Sequence, residues 1–160
     1  MSFLLERDTV NGAEGTVYIT RNGKQIEVIG LKNIQPVGGI QSTDMRSIGT
    51  RVIQDKPNGV KLTAKGKVYY GSNGSNLFQE MLLNYITKGV MEYFDVQINN
   101  TDPTVSMGSQ IMAYYGCHLT GEIPLSILDD EKAMLDYEFN FAYTRVARIQ
   151  GFTDPVNVSQ

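Results

Sequence analysis

The stretch Lys61-Leu-Thr-Ala-Lys-Gly-Lys-Val-Tyr-Tyr70 decides the fold class. Leu62, Ala64, Gly66, Val68 and Tyr70 fall on one parity; Lys61, Thr63, Lys65, Lys67 and Tyr69 fall on the other. Successive side chains of a strand point to opposite faces, so this spacing predicts a half-buried strand with lysines on its outer face. Lys61, Lys65 and Lys67 are therefore the candidate exposed strand face. The same period of two recurs further along. Phe94, Val96 and Ile98 alternate with Asp95, Gln97 and Asn99. Ile111, Ala113, Tyr115, Cys117 and Leu119 alternate with Met112, Tyr114, Gly116 and His118. Tyr137, Phe139, Phe141 and Tyr143 alternate with Glu138, Asn140, Ala142 and Thr144. Past Thr144 the parity blurs, as at a bulge or a strand end. These segments predict a mainly β protein.

The turn residues agree. Asn22-Gly23 separates two strand-like runs, and Asn-Gly readily takes the positive φ angles of a type I′ hairpin. Pro57-Asn58-Gly59 reads as a second turn, just before the lysine-faced strand. Gly12–Gly15 and Gly71–Gly74 read as turns as well. The polar run Gln35–Lys56 reads as a long protruding hairpin or loop outside the core. One helix interrupts the strands: Leu77, Phe78, Met81, Leu82, Tyr85 and Ile86 form an apolar stripe at helical spacing. Asn76 with Gln79 resembles a capping box, with Ser75 as the alternative cap, and Gly89 suits the left-handed stop. A β-barrel or sandwich with one flanking α-helix follows.

A chain of 160 residues fits one domain that can bury a core without metal or disulfide staples. The single cysteine excludes an internal disulfide. A net charge of −3 without a basic cluster disfavours gripping nucleic acid, since phosphate neutralisation needs a basic patch. A conduit through which DNA slides remains compatible. The opening residues lack the basic and apolar regions of a signal peptide, and no apolar run reaches bilayer length. The expectation is a protein made in the cytoplasm that leaves it only by lysis or within a particle.

Chemistry is sparse. Cys117 and His118 are neighbours, but in a strand they point to opposite faces, so a thiol–imidazole pair is disfavoured. No second Cys or His exists to complete a zinc site. Asp129, Asp130 and Glu131, with Asp136 nearby, lack the ligand spacing of a calcium loop; the run from Ile127 reads as a strand end passing into a solvated turn. Phosphate-loop, dinucleotide and nucleophile-elbow motifs are absent from the sequence. No catalytic, cofactor-binding or metal residue is expected, and the chain reads as a non-enzyme. The lysine face, the Gln35–Lys56 run, Asn100–Gln110 and Val156–Gln160 are polar surfaces that make sense against neighbours, and head-to-tail rings need two different patches per subunit.

The serial order of segments resembles the core tail-tube proteins of the PBSX phage-like element and related contractile-tailed phages. Gly12-Ala-Glu-Gly-Thr-Val-Tyr18 is similar to that family's opening strand, and Ser47–Arg51 with Lys56–Val60 to its loop and return. Leu77–Tyr85 with Lys88-Gly89 is similar to its helix, Tyr93–Pro103 to the strand after it, and Leu125–Glu131 with Tyr137–Phe141 to its closing region. The likeness runs from Asn11 to Phe152; the arm over 1–10 and the basic Arg145/Arg148 ending depart from it. The resemblance implies a tube domain over 11–152, an N-terminal arm over 1–10 and a C-terminal tail over 153–160. It implies six copies per ring, rings stacked into a hollow tube, and one sheet continuous around the channel. The expected partners are further copies of the chain, a sheath, a baseplate or initiator, and a tape-measure protein, with DNA only as passing cargo. Inter-subunit or inter-ring contacts are expected at Gln41, Asp44, Arg46, Arg51, Asp55 and Lys56. The rival readings are a tube of the type VI secretion kind and a small ligand-binding β-barrel.

Overall fold

A computed structural model describes residues 3–154, 156, 158 and 159. Ten strands and one helix follow in chain order: β1 (Phe3–Leu4), β2 (Gly15–Arg21), β3 (Lys24–Glu27), β4 (Leu31–Met45), β5 (Gln54–Tyr69), α1 (Asn73–Lys88), β6 (Phe94–Thr101), β7 (Ser109–Leu119), β8 (Asp136–Ala142), β9 (Arg145–Gln150) and β10 (Val158–Ser159). All pairings are antiparallel. One sheet runs β3-β2-β6-β7-β8-β5-β4, with β9 beside β7, and β1 pairs separately with β10. The sheet folds over on itself and α1 closes the interior, which is the mainly β architecture with one flanking helix expected above.

The alternation read at 61–70 holds: Ala64, Gly66 and Val68 are buried while Lys61, Lys65 and Tyr69 are exposed. Gly66 is required there, because a Cβ would lie 2.5 Å from Phe139 Cζ and 2.7 Å from the Asn33 carbonyl oxygen. Inside, Phe78 of α1 stacks on Phe139 with ring centroids 4.3 Å apart and meets Phe94 edge-on. Phe141 meets Phe94 and Tyr143 meets Tyr114 in the same edge-on manner. Burying side chains of this size contributes about 1.5–3 kcal/mol each. Aromatic rings thus fill the interior beneath α1. The Asn22-Gly23 turn has φ of 53° and 76° and closes a two-residue hairpin with Arg21 opposite Lys24, as expected.

The structure corrects several readings. The run 111–119 does not keep one parity: Met112 and Tyr114 face the core, and then Cys117 and Leu119 do. A bulge switches the face, since Phe94 opposes Cys117 while Val96 opposes Tyr114. Gly116 takes φ 67° at the bulge, and its N–H donates to Asp95 Oδ1. Pro57-Asn58-Gly59 is no turn but lies within β5, at a register shift opposite Gln41 and Ser42. Proline lacks the donor for a ladder bond and is tolerated at a bulge on an edge ribbon. The helix starts earlier than the stripe suggests. Ser72, not Asn76 or Ser75, is the N-cap and accepts from the Ser75 N–H, so Gly74 lies inside the first turn and not in a loop. Gly89 does end the helix in the left-handed conformation. Ile127 and Leu128 belong to no strand; they sit in an irregular segment, 120–135, between β7 and β8. No described helix is long and apolar enough to cross a membrane.

Candidate assembly surfaces

The first surface is the hairpin of β4 and β5. These strands pair from Leu31/Val68 out to Met45/Gln54, but β8 supports β5 only over Thr63–Tyr69. Beyond that support the ribbon stands free, and every residue from Ile40 to Lys61 is exposed. The hairpin expected for Gln35–Lys56 is thus present with shifted bounds: Gln35–Val37 belongs to the supported sheet, opposite Lys65–Thr63, and the free part runs on to Lys61. Gln41, Asp44, Asp55 and Lys56 all lie on its outer half, and Arg46 and Arg51 lie in the connecting turn, 46–53. Asp44 and Asp55 are direct cross-strand partners. The hydrogen bond that a protonated Asp55 donates to the Asp44 carboxylate holds Asp55 above the usual carboxylate range. Apolar side chains accompany them: Ile48 and Val52 in the turn, and the facing pair Ile40/Val60 on the strands, are all exposed.

The lysine face continues from this hairpin over β8. Lys67 stands between Asn33 and Glu138 in register, its Nζ 3.2 Å from Glu138 Oε1; Lys65 stands between Gln35 and Asn140. These side chains line a shallow depression of about 580 Å³. Lys61 lies outside it, on the free ribbon. The predicted lysines are thus exposed to different degrees, and Lys67 is partly neutralised by its neighbour.

A second region lies at the opposite end of β5, where the strand leads into α1. The first turns of α1 are buried at Leu77, Phe78 and Met81, but the stripe runs on into the open at Tyr85 and Ile86. On one flank, Arg21 at the end of β2 places Nε 2.7 Å from Glu92 Oε2 and reaches Glu80 as well. Hydrogen bonding to Arg21 holds the Glu92 carboxyl below its usual range, and Asn84 Nδ2 donates to it too. On the other flank, Gln79 Nε2 donates to the Leu125 carbonyl, tying segment 120–135 to the helix. Leu83, Ile86 and Leu125 remain exposed along this flank, and Leu128 of the same segment is exposed too.

A third feature escaped the sequence. The loop between β6 and β7, read there as bare polar surface, is gripped by both ends of the chain. The Asp8 carboxylate, 0% exposed, accepts from the Ser106 N–H and hydroxyl at 2.9 and 2.8 Å. Ser106 Oγ accepts in turn from the Val156 N–H, and the Thr153 N–H donates to the Met107 carbonyl. Asp102 accepts from the Thr104 hydroxyl and from the N–H groups of Asn11 and Thr104, which together hold it below its usual range. Met1, Ser2, Pro155, Asn157 and Gln160, which the arm and tail readings include, lie outside the described residues.

The residues weighed for chemistry do not converge. Burial pushes the Cys117 thiol up to about 12, the reverse of what a nucleophile needs. His118 lies on the other face with its ring edge-on to Tyr93. Asp130 and Glu131 are exposed, half-buried Asp129 accepts from the Glu131 N–H, and among the described residues no three metal-ligating side chains form a group.

Three comparisons bear on this architecture. No curated protein matches the chain. Among solved structures, it resembles a chain of the anti-feeding prophage baseplate, 6-fold symmetrised, at 10% identity and TM-score 0.61, covering 85% of this chain and 92% of that one. It resembles a chain of the PVC contractile injection system sheath-tube complex in the extended state at 13% identity and TM-score 0.60, covering 88% and 90%. A third likeness is to the SPP1 tail tube, at 10% identity and TM-score 0.63, covering 91% and 81%. Identities this low establish the fold alone. The family model described as phage tail tube protein spans residues 2–147, nearly the whole sequence. On that match this chain belongs to the phage tail tube protein family.

Proposed function

We propose that six copies of this chain close into a ring and that rings stack into the inner tube of a phage or phage-like (tailocin) tail, a channel for DNA passage or for puncturing a target envelope. The observation that carries this reading is the bare ribbon from Ile40 to Lys61. Two strands without a third layer are marginal in water, and this one also displays Ile40, Ile48, Val52 and Val60. A further copy of the chain supplies the missing layer. Free strand edges argue the same way: β3, β4 and β9 each leave one side unpaired among the described strands, and pairing them across copies extends the sheet around a channel.

In this reading 11–152 is the tube domain, and 1–10 and 153–160 are arms that contact neighbouring subunits. Gln41, Asp44, Arg46, Arg51, Asp55 and Lys56 contact the next ring. The tail is of the contractile, PBSX-like kind, with a sheath outside the tube, a baseplate initiator beneath it and a tape-measure protein within during assembly. The chain carries no catalytic activity, is made in the bacterial cytoplasm and ends in the particle's tail. The similarity to chains from a sheath-tube complex and from a baseplate supports these partners. Electron microscopy of the purified protein, alone and with its baseplate, tests the reading. Hollow tubes with six-fold end views are expected; a chain that stays monomeric even on its baseplate would refute it.

A further inference from the structure

Both ends of the chain close on a single residue. Ser106, in the loop between β6 and β7, donates its N–H to Asp8 Oδ1 and its hydroxyl to Asp8 Oδ2, while its Oγ accepts from the Val156 N–H at 2.9 Å. Further contacts secure the base of each end. Asp102, where β6 stops, accepts from the Asn11 N–H, and the Thr153 N–H and hydroxyl both donate to the Met107 carbonyl. Farther out, β1 and β10 pair over two residues each. Because one hydroxyl serves both ends, losing either end weakens the hold on the other.

The hold is polar and shallow. Val105, Asp8 and Asp102 are its buried side chains, and none of the three belongs to the main hydrophobic cluster. A hydrogen bond exchanged against water contributes little net stability, and a two-stranded ribbon is marginal by itself. The ends therefore part from the loop at less cost than opening the core. What they carry is of a different kind. Phe3, Leu4, Val10 and Val156 are all exposed, apolar side chains that this subunit leaves uncovered. A polar grip keeps the ends at home while their apolar surface waits for cover.

We propose that this grip is an autoinhibitory latch: the free subunit keeps both ends folded on its own β6–β7 loop, and joining a tube requires them to let go and cover their apolar side chains on a neighbouring copy. The inference rests on the tube reading, in which those ends contact neighbours. It adds that the growing tube accepts the unlatched form and that the latched form is held back. The rate of addition then scales with the unlatched fraction. Weakening the latch speeds growth, whereas losing a merely supporting contact would slow it.

Growth from preformed tubes tests it. Ser106→Ala keeps the N–H that Asp8 accepts but removes the hydroxyl bond and the acceptor for Val156. Elongation by this variant should quicken about tenfold, the population change that follows from losing such a contact. Asp8→Cys with Ser106→Cys, two side chains already in contact, supplies a second arm in one protein. Reduced, it lacks the latch and should outpace the unaltered chain. Oxidised, a disulfide pins the arm to the loop and should stop growth, which reductant then restores. Cys117, 0% exposed, does not compete. Folded Ser106→Ala subunits that elongate no faster than the unaltered chain, or a double variant that grows equally well oxidised and reduced, would overturn the latch and leave the tube reading standing. If unaltered subunits add to no tube and to no baseplate, the tube reading falls and the latch falls with it.

Discussion

Single carboxylates give this molecule two opposite responses to acid. Asp102 is held below its usual range by the Thr104 hydroxyl and by the Asn11 and Thr104 N–H groups, so what it contributes is present above the unfolded pKa and lost as pH falls through the folded one. Asp55 is held above its usual range by Asp44, so its contribution is present at low pH and lost as pH rises through the folded value. As pH falls, the outer hairpin should therefore tighten first, above the ordinary carboxylate range, and the grip on the chain ends should loosen only afterwards, below it. On acidification, opening along 43–56 should become rarer before opening at the Asn11 and Thr104 amides becomes more frequent, as read by hydrogen exchange corrected for its intrinsic pH dependence; changes of the same sign at both places would contradict the assignment. Ser106→Ala removes a hydroxyl that donates to buried Asp8 and accepts from the Val156 N–H. A buried acceptor that loses a donor costs about 1–3 kcal/mol, and exchange over 3–10 should rise while the core strands stay protected.

Elements differ in how far they depend on the rest. α1 anchors itself in the core through Phe78, so Phe78→Ala should cost about 3–5 kcal/mol, read as a lower denaturant midpoint. Deleting 41–55, by contrast, should leave the core folded and abolish tube growth, because no residue there is buried; a molten core by near-UV circular dichroism would show the hairpin to be structural. These differences also explain what the sequence could tell. Strands with one face on the core, such as Lys61–Tyr69 and Phe94–Ile98, announce themselves by parity, and the Tyr137–Tyr143 aromatics do so most plainly. β7 hid its true faces because the bulge at Gly116 inserts a residue that parity cannot detect. The 54–60 part of β5 hid because a free ribbon buries neither face, leaving Pro57-Asn58-Gly59 to speak alone. The exposed hairpin, as a candidate surface, was legible from its polarity. The Asp8–Ser106 grip was not, for it joins residues 98 apart and neither stands out from its neighbours.

At the scale of the whole molecule, a free ribbon extends from a sheet whose interior is closed by a half-covered helix. β8 is among the last strands to be made, yet it sits inside the sheet, hydrogen-bonded to β5 over seven residues and to the end of β7. Until it inserts, β5 and β7 have raw facing edges and Phe78 lacks Phe139 beneath it. A chain stopped at Leu135 should accordingly be cut within the core by brief protease treatment that spares the full-length protein. A nascent polypeptide on the ribosome thus displays its hairpin well before translation delivers the strand that locks the interior.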